Sequence, residues 1–380
     1  MERSLATATP APGASVETTT RDRSIDNLKV FLVIGVIVGH TTMAWTGMGT
    51  WVFDEPMVRE PLLTVLSLLA LFGGLFAMAT FFFIAGMYTA PSLARKGVRK
   101  FLIDRAIRLG VPMLFFIILL SPVIEYADPD AAGWDRGFWA FTLHIWWPPA
   151  PGPTWFLGVL LVFSIVYALI RSVRPIRDAP RSPLRLWHLA IAALIVALSS
   201  YLVRLSIPLG TEVWRLALGQ APAWIVGFTL GVLGGEQGWY NPIPGRITGV
   251  VRRGAWLGFT ALLVIGLMAD NLEPYGGGGT WESMLAAAVE GIIVVAMPLW
   301  LLDLFRRKFD RQGPLGMKMS RAAFGAFVIH QLALVGLVLA SHYTGWAPEV
   351  EYLLVSGLGV AVSFLIGWWL TRLPGVSRVV

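Results

Sequence analysis

His40, Glu290 and His330 are ionisable residues set inside apolar runs of this 380-residue chain. An ionisable side chain at membrane depth is costly, so each is read as functional, facing a cavity or a partner. His40 stands about six residues from the outer end of its run and Glu290 about seven from the outer end of its own, which puts both roughly 10 Å below the outer surface. That depth allows the two to meet, and His330, nearer mid-membrane, can join them. A carboxylate beside an imidazole fixes its tautomer and raises its basicity, as a general base activating a hydroxyl requires. The alternative is a set of hydrogen bonds that only tie neighbouring helices together.

Lys29 precedes His40 by eleven residues, and eleven steps of about 100° return to the same helix face some ~16 Å away. One face then links a cation suited to a phosphate with a base deep in the membrane, a spacing that suits a long substrate. Arg105 and Arg108, at i and i+3, are expected to share a face and grip a phosphate or pyrophosphate. As an isolated pattern the same pair also reads as a topology signal or a lipid-headgroup contact. Gly35-x-x-x-Gly39, just before His40, reads first as a helix-packing motif and second as the wall of a narrow acyl channel.

The elements that must hold these residues are transmembrane helices. Hydrophobic residues make up 56% of the chain and charged ones 14%, against roughly 25% charged in soluble domains. Apolar stretches of spanning length, about 20 residues each, lie near 27–46, 64–89, 108–124, 154–170, 186–205, 214–234, 254–270, 283–303, 322–340 and 351–371. The expected fold is therefore all-α and polytopic, with about ten transmembrane helices. A disordered cytoplasmic tail over 1–22 and a short one over 374–380 are expected to flank a single domain at 23–373.

Basic residues set the orientation. Twenty-five of the 30 Lys and Arg fall before the first span, after the even-numbered spans or at the C-terminus, and four (Arg59, Arg136, Arg204 and Arg215) fall on the other side. By the positive-inside rule both termini are expected in the cytoplasm. The same rule accounts for the net charge of +7, so no nucleic-acid partner is expected. With no cysteine and no zinc-spaced histidine cluster, no metal site is expected either. The longest external loop, about 125–153, carries Trp134, Trp139, Trp146 and Trp147 before a proline-rich run. Such rings belong to the interfacial belt or stack on the faces of a sugar.

Four segments, taken in order, resemble the acyltransferase 3 family of membrane proteins. Arg23 to His40, "RSIDNLKVFLVIGVIVGH", is similar to the family's opening helix with its basic residue, ten-residue gap and histidine. "FFFIAG" at 81–86 leads into "FLIDRAIRLGVP", which carries an R-x-x-R element, and "TWFLGVLLVF" from Thr154 and "AFVIHQ" through His330 follow. Ala85 stands where the family has Ser, and Lys29 where Arg is common. Within the family the look is closest to the glucan biosynthesis protein C branch.

The resemblance implies a multi-pass protein of the cell membrane that moves an acyl group from cytoplasmic acyl-CoA, acetyl-CoA or succinyl-CoA, to a hydroxyl. The acceptor is then a carbohydrate, a lipid-linked glycan or a related molecule on the external face. Arg105, Arg108 and Lys29 would hold the CoA phosphates, with His40, and Glu290 and His330 beside it, at the reacting end. The rival reading is a proton-coupled transporter or flippase, in which the same His and Glu couple protons; no internal repeat supports it. Membrane lipids are expected partners in either case.

Overall fold

A computed structural model describes residues 22–48, 55–128, 134–145, 150–174, 182–269 and 271–376. The expected tail up to residue 21, the last four residues, and Trp146, Trp147, Pro148 and Pro149 of the long loop lie outside the described residues. Ten helices among the described residues are long and apolar enough to cross a membrane. They are α1 (Arg23–Thr46), α2 (Leu62–Lys96), α3 (Val98–Tyr126), α4 (Gly152–Val173), α5 (Leu186–Arg204), α6 (Leu218–Gln237), α7 (Gly245–Met268), α8 (Trp281–Lys308), α9 (Pro314–Ser341) and α10 (Pro348–Leu370). The all-α expectation holds, and several helices outrun the apolar stretches that announced them because polar first and last turns continue the helix.

α1 begins where the Asp22 side chain accepts the backbone N–H of Ser24 at 3.1 Å, satisfying a donor the first helical turn leaves open. It ends at Gly47, whose φ of 63° is the left-handed conformation that stops a helix. Between these ends α1 packs on α2, α8, α9 and α10, so the helix that carries Lys29 and His40 is central to the bundle. Asn27 Nδ2 donates to the carbonyls of Phe309 and Arg311, tying the start of α1 to the α8–α9 connection. At the opposite end His342 Nε2 lies 2.6 Å from Glu55 Oε1, joining the α1–α2 and α9–α10 connections.

α3 is irregular for a sequence reason. Pro112 and Pro122 have no N–H to offer the carbonyl four residues back, and wide i→i+5 turns form just ahead of them at Ala106–Gly110 and Phe116–Leu120. Arg108 therefore sits inside a wide turn, and Arg105 just before it.

Glycine spacing fixes the closest helix pair. Gly227, Gly231 and Gly235 of α6 form a stripe against the backbone of Ala79, Phe83 and Met87 of α2, and Gly86 of α2 faces the backbone of α6 in return. A Cβ at Gly227 would stand 2.8 Å from the Ala79 carbonyl oxygen, closer than real contacts allow. Without a hydrophobic drive between helices in lipid, this backbone approach supplies the packing energy. Gly35 and Gly39, expected to pack in this way, instead have no neighbour within 4 Å of a Cβ placed on either. The packing reading of that pair is corrected: on a helix that touches four others, these two positions face open space.

Candidate active site

The two buried histidines meet. The rings of His40 on α1 and His330 on α9 lie 4.9 Å apart, edge to face. His40 Nδ1 is 2.8 Å from the Val36 carbonyl and His330 Nδ1 is 2.7 Å from the Phe327 carbonyl. A carbonyl oxygen only accepts, so both Nδ1 atoms carry the proton, and in each neutral ring the lone pair is left on Nε2. His330 Nε2 is buried without a hydrogen-bond partner among the described residues. His330 is fully buried, whereas His40 keeps partial access.

Below the pair lies a floor of aromatic rings. Phe327, one turn before His330 on α9, stands 5.9 Å from its ring, and Phe81 of α2 and Phe156 of α4 lie 6.3 Å and 6.1 Å from Phe327. Phe81 and Phe156 are themselves 5.7 Å apart. Segments distant in sequence, around positions 40, 81, 155 and 330, thus converge on one place. The rings wall the imidazole pair on the side toward α2 and α4.

Glu290 does not join the histidines through any contact of its carboxylate. It is buried, with Oε2 2.7 Å from Nη2 of the equally buried Arg204 at the end of α5. Ser200 Oγ lies near the same carboxylate. Arg204 Nε donates to the Gly219 carbonyl at 3.0 Å. The expected meeting of Glu290 with His40 is corrected: its partner charge is on α5, a residue that counting charges by loop had assigned to the external surface.

Arg105 and Arg108 part company. Arg105 is turned toward α2, with Nη2 3.5 Å from Thr89 Oγ1, its guanidinium 5.2 Å from the Phe101 ring centroid and its Nε buried without a partner. Arg108 is exposed, its Nε 3.2 Å from Asp104 Oδ1, and Asp104 also takes Lys96 Nζ at 2.8 Å. The wide turn that begins at Ala106 separates the two guanidinium groups, so a shared i, i+3 grip is not what the described residues display. Lys29 Nζ lies 5.6 Å above the ring of Tyr88, the residue before Thr89. Two cations, from α1 and α3, thus rest against one turn of α2.

The face of α1 between Lys29 and His40 is filled: Val33 and Val36 are 3% and 7% exposed. On α2, by contrast, Tyr88, Ala85, Phe81, Met78 and Gly74 share one stripe and all keep some access. Sequence reasoning quoted Phe81, Ala85 and Phe156 as parts of motifs and gave them no role; for the α2 residues the i, i+4, i+7 spacing of Phe81, Ala85 and Tyr88 was the available signal. Arg204 and Gln331 were also missed. Among the described residues no three His, Asp or Glu are placed to hold a metal.

A family model described as an acyltransferase domain matches residues 22–372. No curated protein and no solved structure matches the chain.

Proposed function

Because the chain belongs to the acyltransferase 3 family of membrane acyltransferases, we propose that it transfers an acetyl or succinyl group from cytoplasmic acyl-CoA to a hydroxyl of an extracytoplasmic glycan or glycolipid, with His40 at the reacting end. The observation that carries this reading is the paired-imidazole centre: two rings in contact, both Nδ1–H groups committed to backbone carbonyls, and one buried Nε2 with no partner. A hydroxyl arriving at the pair meets neutral imidazoles whose Nδ1 protons are held, so that each lone pair sits on Nε2, including that of the partly accessible His40. That is the requirement for general-base attack on a thioester.

In the direct route the acceptor oxygen attacks the thioester carbonyl carbon while His40 Nε2 takes its proton. The carbon–sulfur bond then breaks, the sulfur leaves with its bonding pair and recovers the proton from His40, and the products are an ester and CoA thiol. In the two-step route the same Nε2 lone pair attacks the carbonyl carbon first and the carbon–sulfur bond breaks with CoA leaving as the thiolate. The acceptor hydroxyl then attacks that carbon, the carbon–nitrogen bond breaks with its pair returning to Nε2, and the hydroxyl proton passes to the thiolate, giving the same ester and CoA thiol. His330, 4.9 Å away edge to face, holds the His40 ring against rotation in both.

Arg105, with a buried and unpartnered Nε, and Lys29 are suited to the CoA phosphates, and the α2 stripe from Tyr88 to Phe81 spans about 10 Å at 1.5 Å per residue, which the extended pantetheine arm would follow. Arg108 is the outer member of this set, at the rim. Basic residues concentrated on that end of the bundle support a cytoplasmic placement for it and for both termini. Glu290, committed to Arg204, supports the fold rather than the reaction.

The test is sidedness. In proteoliposomes of defined orientation, acetyl-CoA or succinyl-CoA supplied on the Arg105 side releases CoA, and the same donor supplied only on the His342 side does not. Release from the His342 side alone would contradict the reading.

A further inference from the structure

We infer that Gln331 is the residue that binds the acceptor, orienting an uncharged hydroxyl-bearing molecule against the histidine pair; the inference rests on the acyl-transfer reading above. Gln331 follows His330 on α9, and on a helical wheel the two flank Phe327, one on each side, a turn above the aromatic floor. His330 leans to α1 and His40. Gln331 leans to the start of α4: a Cβ on Gly152 would stand 2.5 Å from Gln331 Oε1 and 2.5 Å from the Phe116 ring. Gly152, with φ of 44°, leaves the space that the amide occupies.

Gln331 Oε1 is buried with no hydrogen-bond partner. So is His330 Nε2, and neighbouring residues on one helix thus present two orphaned groups of the same kind. Both are acceptors, because His330 Nδ1 already donates to the Phe327 carbonyl. A buried acceptor without a donor is unfavourable, so a molecule bound between these groups is selected for the donors it brings. Hydroxyl groups bring them without charge.

Charge decides against a cationic acceptor. The groups placed around the two acceptors are the imidazole of His40, the rings of Phe116 and Phe327, and Gly152, none of them acidic; the buried carboxylate on α8 is held by Arg204 at 2.7 Å. An ammonium would be left uncompensated among aromatic edges and a neutral amide, whereas a polyol loses nothing beyond its own hydration. Two acceptors on adjacent residues also suit two hydroxyls of one molecule, which a sugar ring or glycerol unit offers on neighbouring carbons.

The test follows CoA release from acetyl-CoA by purified wild type, Gln331→Leu and Gln331→Glu, titrating glycerol and glucose as hydroxyl probes and, separately, acetyl-CoA. Gln331→Leu should raise the half-saturating probe concentration about tenfold, the loss of one hydrogen bond at 1.4 kcal/mol per decade, and leave the KM for acetyl-CoA unchanged. Gln331→Glu keeps the acceptor oxygens and should stay within about threefold of wild type. If the Leu variant titrates like wild type, if both KM values move together, or if neither probe accelerates release by wild type, the assignment of Gln331 falls. No release by wild type from acetyl-CoA, nor from succinyl-CoA put in its place, would instead overturn the acyl-transfer reading on which it rests.

Discussion

His40 and His330 touch edge to face at 4.9 Å although 290 positions separate them in the chain. Each ring is pinned by its own helix through Nδ1. The contact between them fixes the one freedom that remains, rotation of the His40 ring.

His330→Ala should therefore lower kcat by about 10²-fold, within the range a positioned base contributes, while the KM for acyl-CoA changes little. His330→Phe keeps a ring in place and should recover part of that loss. Steady-state kinetics on the two variants checks this: equal losses in both would mean that the nitrogen matters and the ring's bulk does not.

Glu290→Ala leaves Arg204 charged and unpaired in the α5–α8 interface, a change that typically costs about 3–5 kcal/mol. Replacing both partners, with Arg204→Met and Glu290→Leu, should recover most of the loss because no buried charge remains. Thermal unfolding in detergent reads the difference. The folded double variant should keep kcat near wild type, and a loss of turnover in that folded variant would return Glu290 to the active site.

Glycine substitutions separate packing from open space. Gly231→Leu places a side chain where the Phe83 carbonyl now lies and should abolish the monodisperse protein, whereas Gly35→Ala meets nothing within 4 Å and should express and melt like wild type. Size-exclusion profiles of the two variants check the contrast.

Arg105→Ala should raise the apparent KM for acyl-CoA about tenfold with kcat nearly unchanged, since a contact far from the reacting carbon acts mostly on binding. Arg108→Ala, exposed and already paired with Asp104, should shift it less. The reverse order of effects would place the phosphate grip at the rim.

Much of this was legible in the sequence. Ten apolar runs announced ten helices because a membrane demands that length and composition and little else. His40, Arg105 and Lys29 stood out as ionisable groups at or inside those runs. What stayed hidden were pairings between helices, which hydropathy does not encode. Arg204 looked like a loop charge until the end of α5 proved buried, and Glu290 found its partner there instead of at His40. The wide turn at Ala106–Gly110 similarly undid an i, i+3 argument that assumed a regular helix. Gly35-x-x-x-Gly39 and the Gly227, Gly231, Gly235 stripe share one spacing, and only the neighbours of each distinguish a packing face from an open one.

The most direct measurement compares CoA release from acetyl-CoA and succinyl-CoA by purified wild type and His40→Ala, with both shown to be folded by thermal unfolding. The account predicts release by wild type with one of these donors and a fall of at least about 10³-fold in the variant, the scale on which a base or covalent carrier acts. Undiminished release by a folded His40→Ala protein would contradict it.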